Sequence, residues 1–408
     1  MEFQEVLLLI FNAVLKLVGV YMFAIALFAL KPVKKRAMSA PQTRFAILIA
    51  ARNEEPSIAQ LVESLLNQNY PEHLRDIYVI PNNCTDDTEG AARRAGAHII
   101  RCAQPVSFKG DALCQAVDKL MLDDYDAFCV FDAGSIVHAD YLAWTNTSIQ
   151  SGARVVRGRL KVKNPYDSPI SGCYAAWFEM LDVFYNRARA AIGLSAKIHG
   201  TALAFTCEVM EKSGGWSFRA LAEDAQFGVW CALNNERVFF APEAIAYDEA
   251  PSDIRTTLVQ RHRWCGGVMQ QFRAMCLHLW HYGAPAQTRR FALDAFLTYL
   301  APALSVISLL PAALNLFWAV YSGEAAVYFS AAVLYALLGF IGIFSGSFLL
   351  LYIGGYRDAR VVKTALMYPV FLATWLPIQV AAFFSRKFTW TQISHGARRE
   401  HGALTPKI

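Results

Sequence analysis

Two adjacent acidic residues are the first candidates for chemistry in this sequence. Glu223 and Asp224 begin a stretch, 222–233, whose pattern predicts a helix. A positioned carboxylate can take a proton from an attacking hydroxyl group. Acidic residues also favour the first turn of any helix because of the helix dipole, so the pair alone does not identify an enzyme.

A basic and aromatic motif follows at Gln260–Trp264, with the sequence Gln-Arg-His-Arg-Trp. On a helix, Gln260, Arg263 and Trp264 are spaced i, i+3 and i+4 and therefore share one face. An arginine can make forked hydrogen bonds to a diphosphate, and a tryptophan ring can stack on a sugar. An amphipathic helix at a membrane surface has a similar composition, and the two interpretations are compatible.

Polar residues also follow two predicted strands. Asn82 comes after the second strand, and Asp132 directly follows the apolar run 127–131. In a parallel sheet, ligands bind beyond the carboxyl ends of the strands, so both side chains are candidates for a ligand site. A carboxylate such as Asp132 is a suitable hard ligand for Mg²⁺ or Mn²⁺. His138 is a conceivable second ligand, although a surface histidine is the simpler interpretation.

These clusters, in this order, resemble the inverting family 2 glycosyltransferases, and in particular their membrane-bound branch of cellulose, chitin, hyaluronan and poly-N-acetylglucosamine synthases. The resemblance covers residues 44 to about 270. It implies an α/β GT-A fold, which is Rossmann-like with a mostly parallel sheet and binds a nucleotide-sugar, here a UDP-sugar.

The resemblance also implies a role for each matching residue. Asp224 is expected to be the catalytic base, Asp132 to hold Mg²⁺ or Mn²⁺, and the remaining residues to contact the donor nucleotide (Asn82, Lys109, Asp132 and Arg263) or the acceptor and donor site (Glu223, Gln260 and Trp264). The sequence departs from the family pattern at Asn82, where an acid is usual, and at Gly134, where the second acid of Asp-x-Asp is missing. The metal is then expected to bind through Asp132, phosphate oxygens and water.

The elements that must position these residues are short apolar runs alternating with helical patterns. The runs predict strands near 45–50, 76–80, 98–101, 126–131 and 154–162. Repeated β-α units of this kind favour a mostly parallel sheet.

Four apolar stretches are long enough to cross a bilayer as helices, namely Val6–Leu30, 293–320, 326–353 and 364–384. Basic residues after the first stretch predict that the catalytic domain faces the cytoplasm. Basic residues on both sides of the last stretch leave its topology open, because both flanks would be cytoplasmic. Lys387–Gln392 faintly resembles the gating segment of cellulose synthases, and a plain interfacial anchor is the alternative.

Composition agrees with a membrane protein, since 55% of the residues are hydrophobic and 17% are charged. The net charge of +5 is small and the basic residues form no run with interleaved aromatics, so nucleic acid is not an expected partner. The expected organisation is a membrane anchor (1–36), a GT-A catalytic domain (37–250), interfacial helices with the Gln-x-x-Arg-Trp motif (251–290), membrane helices (291–385) and a basic tail (386–408).

The leading hypothesis is an integral protein of the plasma (inner) membrane that adds sugars from a nucleotide-sugar donor to a growing polysaccharide, in contact with membrane lipids. Transfer of one sugar to a lipid acceptor, as in ceramide glucosyltransferases, is the close alternative. A non-catalytic donor-binding subunit and a transporter are the alternatives outside the enzyme class. The acidic pair and the Gln260–Trp264 motif argue against both.

Overall fold

The computed structural model describes residues 3–32, 36–283 and 288–385. The basic tail and the segment Lys387–Gln392 lie outside the described residues.

One mixed sheet forms the centre of the catalytic domain. Its strands are β1 (Phe45–Ala51), β2 (Arg75–Pro81), β3 (His98–Ile99), β4 (Ala127–Asp132), β5 (Ile136–Val137), β6 (Val155–Val162), β7 (Leu203–Thr206) and β8 (Val238–Asp248). Their order in the sheet is β3-β2-β1-β4-β7-β6-β8-β5. Strands β3, β2, β1 and β4 are parallel to one another, and β6 is parallel to β8. Strand β7 is antiparallel to both of its neighbours, β4 and β6. Strand β5 is antiparallel to β8. The predicted α/β architecture is therefore confirmed, and the expectation of a mostly parallel sheet holds best for the half built from β1 to β4.

Helices cover both faces of this sheet and continue into the apolar part of the chain. They are α1 (Phe3–Ala26), α2 (Glu55–Leu66), α3 (Thr88–Arg94), α4 (Lys109–Leu120), α5 (Tyr141–Gln150), α6 (Pro169–Met180), α7 (Ala188–Ala190), α8 (Cys207–Ser213), α9 (Glu223–Leu233), α10 (Ile254–Tyr282), α11 (Arg289–Ile307), α12 (Leu309–Tyr321), α13 (Ala325–Ile353), α14 (Arg360–Ala373) and α15 (Trp375–Phe384). A π-helical stretch, Leu181–Arg187, joins α6 to α7.

The central strand β1 is buried on both faces. Ile47 and Ile49 pack into a cluster with residues of α2 and α5, while Ala46 and Leu48 pack into a second cluster with residues of α4. All four side chains are fully buried. A strand covered by helices on both faces has no polar side, which explains why β1 is a continuous apolar run.

The strands β5, β7 and β8 were not predicted. β5 and β7 contain two and four residues, too few for a visible alternation. β8 contains Pro242, which argues against a strand because proline cannot donate to the ladder. The sheet accommodates it at an irregularity, where the pairing with β6 passes from Ala241 directly to Ile245.

Four helical segments are long and apolar enough to cross a membrane, namely Leu9–Leu30, Arg289–Tyr321, Ala325–Ile353 and Arg360–Phe384. They coincide with the four predicted apolar stretches. Large side chains on them are exposed, such as Phe23 at 67% and Phe329 at 71%. Continuous apolar surface of this kind is typical of a lipid-facing helix.

A buried polar cluster joins the first apolar helix to the catalytic part of the chain. Arg189 of α7 pairs with Asp294 of α11 through an Nη2 to Oδ1 contact of 2.9 Å. The hydroxyl of Tyr21 on α1 donates to the same carboxylate at 2.9 Å. The guanidinium of Arg189 also lies 3.5 Å from the ring centre of Tyr185. A buried charge needs such partners, so the cluster fixes α1, α7 and α11 to one another.

The last apolar segment is held at both ends by the catalytic side of the protein. At its start, Arg360 Nη1 donates to the carbonyl of Tyr166 at 3.1 Å. At its end, Arg273 of α10 donates to the carbonyl of Phe383 at 2.5 Å. Between them the helix is interrupted at Thr374, so α15 runs alongside α10 as a separate helix.

Candidate active site

A cavity lies where the carboxyl ends of β1, β2 and β4 face helix α10. It is lined by Ala50, Arg52, Glu54, Asn82, Ser107, Phe108, Lys109, Asp132, Ala133, Gly134, Asp248, Glu249, Gln260 and Arg263. The strand order β3-β2-β1-β4 places it where ligands bind in doubly wound sheets. Five of the predicted site residues therefore share one cavity, and the acidic residues Glu54, Asp248 and Glu249 join them without having been predicted.

Asn82 is held by the end of the neighbouring strand. Its amide nitrogen donates to the carbonyl of Ala51 at 3.1 Å and to that of Ile80 at 3.3 Å. This geometry directs the amide hydrogens to the protein and leaves Oδ1 as the atom that can accept a hydrogen bond from a ligand. Asn82 can therefore replace a carboxylate as an acceptor, but without its charge.

Lys109 connects the cavity to the acidic pair. Its Nζ lies 2.5 Å from Asp132 Oδ1 and 3.3 Å from Glu223 Oε1. The next residue must be glycine, because a Cβ on Gly110 would lie 2.1 Å from the carbonyl oxygen of Phe218. The close approach of α4 to this loop places the lysine among the carboxylates.

The electrostatics of this group follow from burial and from three nearby carboxylates. Burial favours a lower pKa for Lys109, but the negative charges of Asp132, Glu223 and Asp224 outweigh it and raise the pKa. Burial raises the pKa of Glu223 to about 7, and Lys109 opposes this shift. Lys109 therefore stays protonated, while Glu223 titrates near neutral pH.

Asp224 is oriented by two backbone amides. Its Oδ2 accepts a hydrogen bond from Gly200 N at 2.7 Å, and its Oδ1 accepts one from Ala225 N at 2.7 Å. Gly200 has a φ of +61°, which glycine adopts without strain. A Cβ on this glycine would lie 3.8 Å from Asp132 Oδ2, so the same loop approaches both acids. The short loop before β7 therefore orients Asp224, a role that the sequence did not reveal.

The Gln260–Trp264 motif lies on α10, but its three side chains do not all reach the cavity. Gln260 and Arg263 line it, whereas Trp264 packs edge-on against Tyr174 of α6, with ring centres 5.9 Å apart. Trp264 shares the helical face of Gln260 and Arg263 but contacts α6 at this position, so its assignment to the acceptor site stays a prediction.

Arg261, within the same motif, was not predicted to matter. It is fully buried and donates to Thr374 Oγ1 at 2.7 Å and to the carbonyl of Phe371 at 2.9 Å. Its guanidinium lies 4.1 Å from the ring centres of both Phe371 and Trp375. The motif helix is thus fastened to the interruption between α14 and α15.

A divalent metal fits this site only if the sugar donor supplies some of its ligands. Asp132 offers one carboxylate, and Lys109 already contacts its Oδ1. Across the described ranges, three or more His, Cys, Asp or Glu side chains are nowhere grouped to hold a metal ion. His138 does not line the cavity, and its Nδ1 accepts a hydrogen bond from Asp140 N at 3.2 Å. A metal at Asp132 would take its other ligands from phosphate oxygens and water, which Mg²⁺ tolerates.

Comparison with known proteins agrees with this architecture. Residues 41–267 match the model of the family described as glycosyltransferase like family 2. The chain is 26% identical over 237 residues to a beta-monoglucosyldiacylglycerol synthase of Nostoc sp., covering 55% of this chain and 49% of that protein. It is 24% identical over 181 residues to a probable glucomannan 4-beta-mannosyltransferase of Oryza sativa subsp. japonica, covering 43% and 33%. The chain thus spans about half or less of the length of these two relatives.

Among solved structures, the mannosyltransferase PcManGT from Pyrobaculum calidifontis, in complex with GDP-Man and Mn²⁺, has a similar fold. The TM-score is 0.61 at 19% identity, with 91% of this chain and 99% of that chain covered. This similarity extends beyond the catalytic domain into the apolar helices. The match over 41–267, together with this shared fold, shows that the chain belongs to glycosyltransferase family 2 and has the GT-A fold.

Proposed function

We propose that the protein transfers a sugar from a nucleotide-sugar, a UDP-sugar, to an acceptor at the membrane, with inversion at the anomeric carbon. The observation that carries the proposal is the Lys109 bridge. It joins Asp132, which lines the donor cavity, to Glu223, the neighbour of the proposed base Asp224. A donor site and a proton acceptor side by side are what direct displacement requires.

The cavity supplies groups for each part of the donor. Arg263 and Lys109 provide positive charge for the diphosphate, and Arg263 can do so through forked hydrogen bonds. Asn82 Oδ1 can accept from the nucleotide base. Asp132 would hold Mg²⁺ or Mn²⁺, which neutralises charge on the leaving diphosphate. Gln260 lines the cavity from α10, as Arg263 does, and would hold the acceptor end or the phosphates.

The transfer step then needs one base and no covalent enzyme intermediate. Asp224 takes the proton of the acceptor hydroxyl as its oxygen bonds to the anomeric carbon. The bond from that carbon to the diphosphate breaks, and its electron pair leaves with the nucleoside diphosphate. The two backbone amides on Asp224 hold its carboxylate in one orientation and so favour a productive approach.

Two classes of acceptor remain candidates, a growing polysaccharide and a lipid. A growing polysaccharide would need a path past α6, α10 and α15. Between these helices, Trp177 stacks on Trp375 at 4.8 Å and Trp264 packs on Tyr174. Such packing favours a lipid acceptor that receives a single sugar, as the name of the Nostoc relative implies for that protein. The apolar helices support a location in a membrane, and the basic residues after the first of them favour a catalytic domain in the cytoplasm.

The deciding experiment uses the full-length protein in lipid nanodiscs with labelled nucleotide-sugars and native lipid extract. We expect transfer from one UDP-sugar, with the opposite anomeric configuration in the product, and loss of transfer in an Asp224→Asn variant. Absence of both donor hydrolysis and transfer for every UDP- and GDP-sugar would refute the proposal. Retention of configuration would refute the displacement mechanism.

A further inference from the structure

The loop 199–202, which precedes β7, contacts both acids of the proposed transfer step. The backbone N–H of Gly200 donates to Asp224 Oδ2 at 2.7 Å. The hydroxyl oxygen of Thr201 accepts a hydrogen bond from the backbone N–H of Asp132 at 3.1 Å. Asp132 is the last residue of β4, so this second contact fixes the loop to the carboxyl end of the sheet. The position of the loop therefore sets where the carboxylate of the proposed base lies relative to the acid of the donor cavity.

One buried arginine holds this loop. Arg157 of β6 is fully buried, and its Nη1 donates to the carbonyl of Thr201 at 2.7 Å and to that of Ala202 at 3.3 Å. Its Nη2 lies 3.3 Å from Nε2 of His199. An arginine side chain can only donate, so Nε2 accepts this hydrogen bond. The imidazole proton is then on Nδ1, which lies 3.3 Å from the carbonyl oxygen of Lys197. Arg157 thus contacts three of the four loop residues.

The loop needs such support because its backbone is strained. Ala202 has a φ of +64°, a left-handed conformation that is unfavourable for a residue with a Cβ. Its carbonyl accepts two hydrogen bonds, from Nη1 of Arg157 at 3.3 Å and from the backbone N–H of Gly158 at 3.0 Å. Within the described ranges, Arg157 forms no ion pair with a carboxylate, and its hydrogen bonds go to the loop. Strained backbone that buried contacts enforce is typical of functional sites.

We propose that Arg157 is a positioning residue for the transfer step. It holds loop 199–202 so that the N–H of Gly200 keeps the carboxylate of Asp224 directed at the acceptor hydroxyl. The proposal rests on the proposed function, because Arg157 has this role only if Asp224 is the base. The competing explanation is that Arg157 ties β6 to β7 and offsets the strain at Ala202. Its loss would then affect folding and leave the turnover of folded protein unchanged.

The test compares Arg157→Lys with the wild-type full-length protein in lipid nanodiscs, using labelled UDP-sugar, native lipid extract and UDP binding by calorimetry. Lysine keeps the charge, but one ammonium nitrogen cannot replace both Nη1 and Nη2. We expect kcat per folded protein to fall about 10- to 100-fold, because a shift of about 1 Å in a reacting group can cost about 10²-fold. The KM for the donor and the affinity for UDP should stay within about threefold of wild type, since Arg157 does not line the cavity.

Arg75→Lys is the matched control. Arg75 is also buried and donates to two backbone carbonyls, those of Leu65 and Leu66. It is the first residue of β2, whereas the cavity lies at the carboxyl ends of the strands. Arg75→Lys should therefore lower the midpoint of thermal unfolding without lowering kcat per folded protein.

Variants of the partly buried His199 decide the question even if Arg157→Lys does not fold. His199→Gln keeps an acceptor for Arg157 and should retain kcat. His199→Leu removes that acceptor and should lower kcat about 2- to 10-fold, the usual effect of one hydrogen bond. Equal kcat in the two folded variants would overturn the proposal.

Ala202→Gly in the Arg157→Lys background separates positioning from strain. Glycine adopts the left-handed conformation without strain, so this second change should recover thermal stability. It should not recover kcat, because it restores no hydrogen bond to the loop. Recovery of kcat together with stability, or an unchanged kcat in folded Arg157→Lys, would overturn the proposal. An active wild type with unchanged Arg157→Lys refutes only the positioning role, whereas a wild type that uses no donor refutes the proposed function as well.

Discussion

Replacing Asp224 with asparagine tests the proposed base at nearly constant size. In the structure both carboxylate oxygens accept a backbone N–H at 2.7 Å, one from Gly200 and one from Ala225. An asparagine can offer its carbonyl oxygen to only one of them, so its NH₂ group faces the other donor. One amide then loses its partner, and we expect the free energy of unfolding to fall by about 1–3 kcal/mol.

The kinetic effect should be larger than the structural one. Loss of a positioned general base lowers the rate by about 10² to 10⁴, which corresponds to roughly 3–5 kcal/mol in the barrier. Asp224 is not among the residues that line the donor cavity. UDP should therefore bind Asp224→Asn with an affinity within about threefold of wild type, equivalent to less than about 1 kcal/mol.

Three measurements separate these effects, namely single-turnover sugar transfer, UDP binding by calorimetry and the midpoint of thermal unfolding. Asp123→Asn, an exposed acidic residue after α4, serves as the control. Transfer by Asp224→Asn at close to the wild-type rate, in protein shown to be folded, would refute the assignment of the base. A large loss of UDP affinity would instead show that Asp224 belongs to the donor site.

Four further predictions concern the metal, the buried acid, the α14–α15 interruption and topology. Gly134→Asp should lower the Mn²⁺ concentration needed for half-maximal UDP binding, and an unchanged titration by calorimetry would contradict a metal at this position. Because the pKa of Glu223 is raised from 4.5 to about 7, the folded state keeps a proton that the unfolded chain releases, so the free energy of unfolding falls as pH rises through this window. Glu223→Gln should therefore gain thermal stability relative to wild type at pH 8 but not at pH 4.5, and a gain independent of pH would count against the buried acid. Arg261→Met removes two hydrogen bonds of a buried guanidinium and should lower the free energy of unfolding by about 1–3 kcal/mol, as followed by thermal unfolding, with Arg261→Lys intermediate. An antibody should reach an epitope tag inserted after Ser322 in intact cells, whereas it should reach a tag fused to the C-terminus only after permeabilisation. The reason is that both ends of the last apolar segment contact the catalytic side of the protein. Antibody access to the C-terminal tag in intact cells would show that this segment crosses the membrane.

Much of the catalytic domain could be predicted because its first strands are buried on both faces. β1 and β4 are continuous apolar runs, and the polar residue at the end of β4, Asp132, does line the cavity. β8 could not be predicted, since Pro242 is tolerated only through its irregular pairing with β6.

The lining of the cavity was predictable where strand ends and short motifs position the residues, as for Asn82 and Arg263. Other positions were not predictable where the deciding partner is distant in the chain. Trp264 turns toward Tyr174, and Arg157 contacts His199, 42 residues further along the chain. Helical spacing defines a face, but it does not say which neighbouring helix competes for that face.

The burial of Arg261 has a practical consequence for biochemical work on this protein. Its guanidinium lies between the rings of Phe371 and Trp375, while its neighbour Gln260 lines the cavity. Bilayer thickness or lateral pressure that displaces the α14–α15 interruption would therefore also move the α10 residues that line the cavity. A detergent micelle reproduces neither bilayer thickness nor lateral pressure. Turnover measured in micelles therefore belongs to a different position of the α14–α15 interruption from turnover in a lipid bilayer. Donor affinity should accordingly be compared across lipids of defined chain length before any variant of α10 is interpreted.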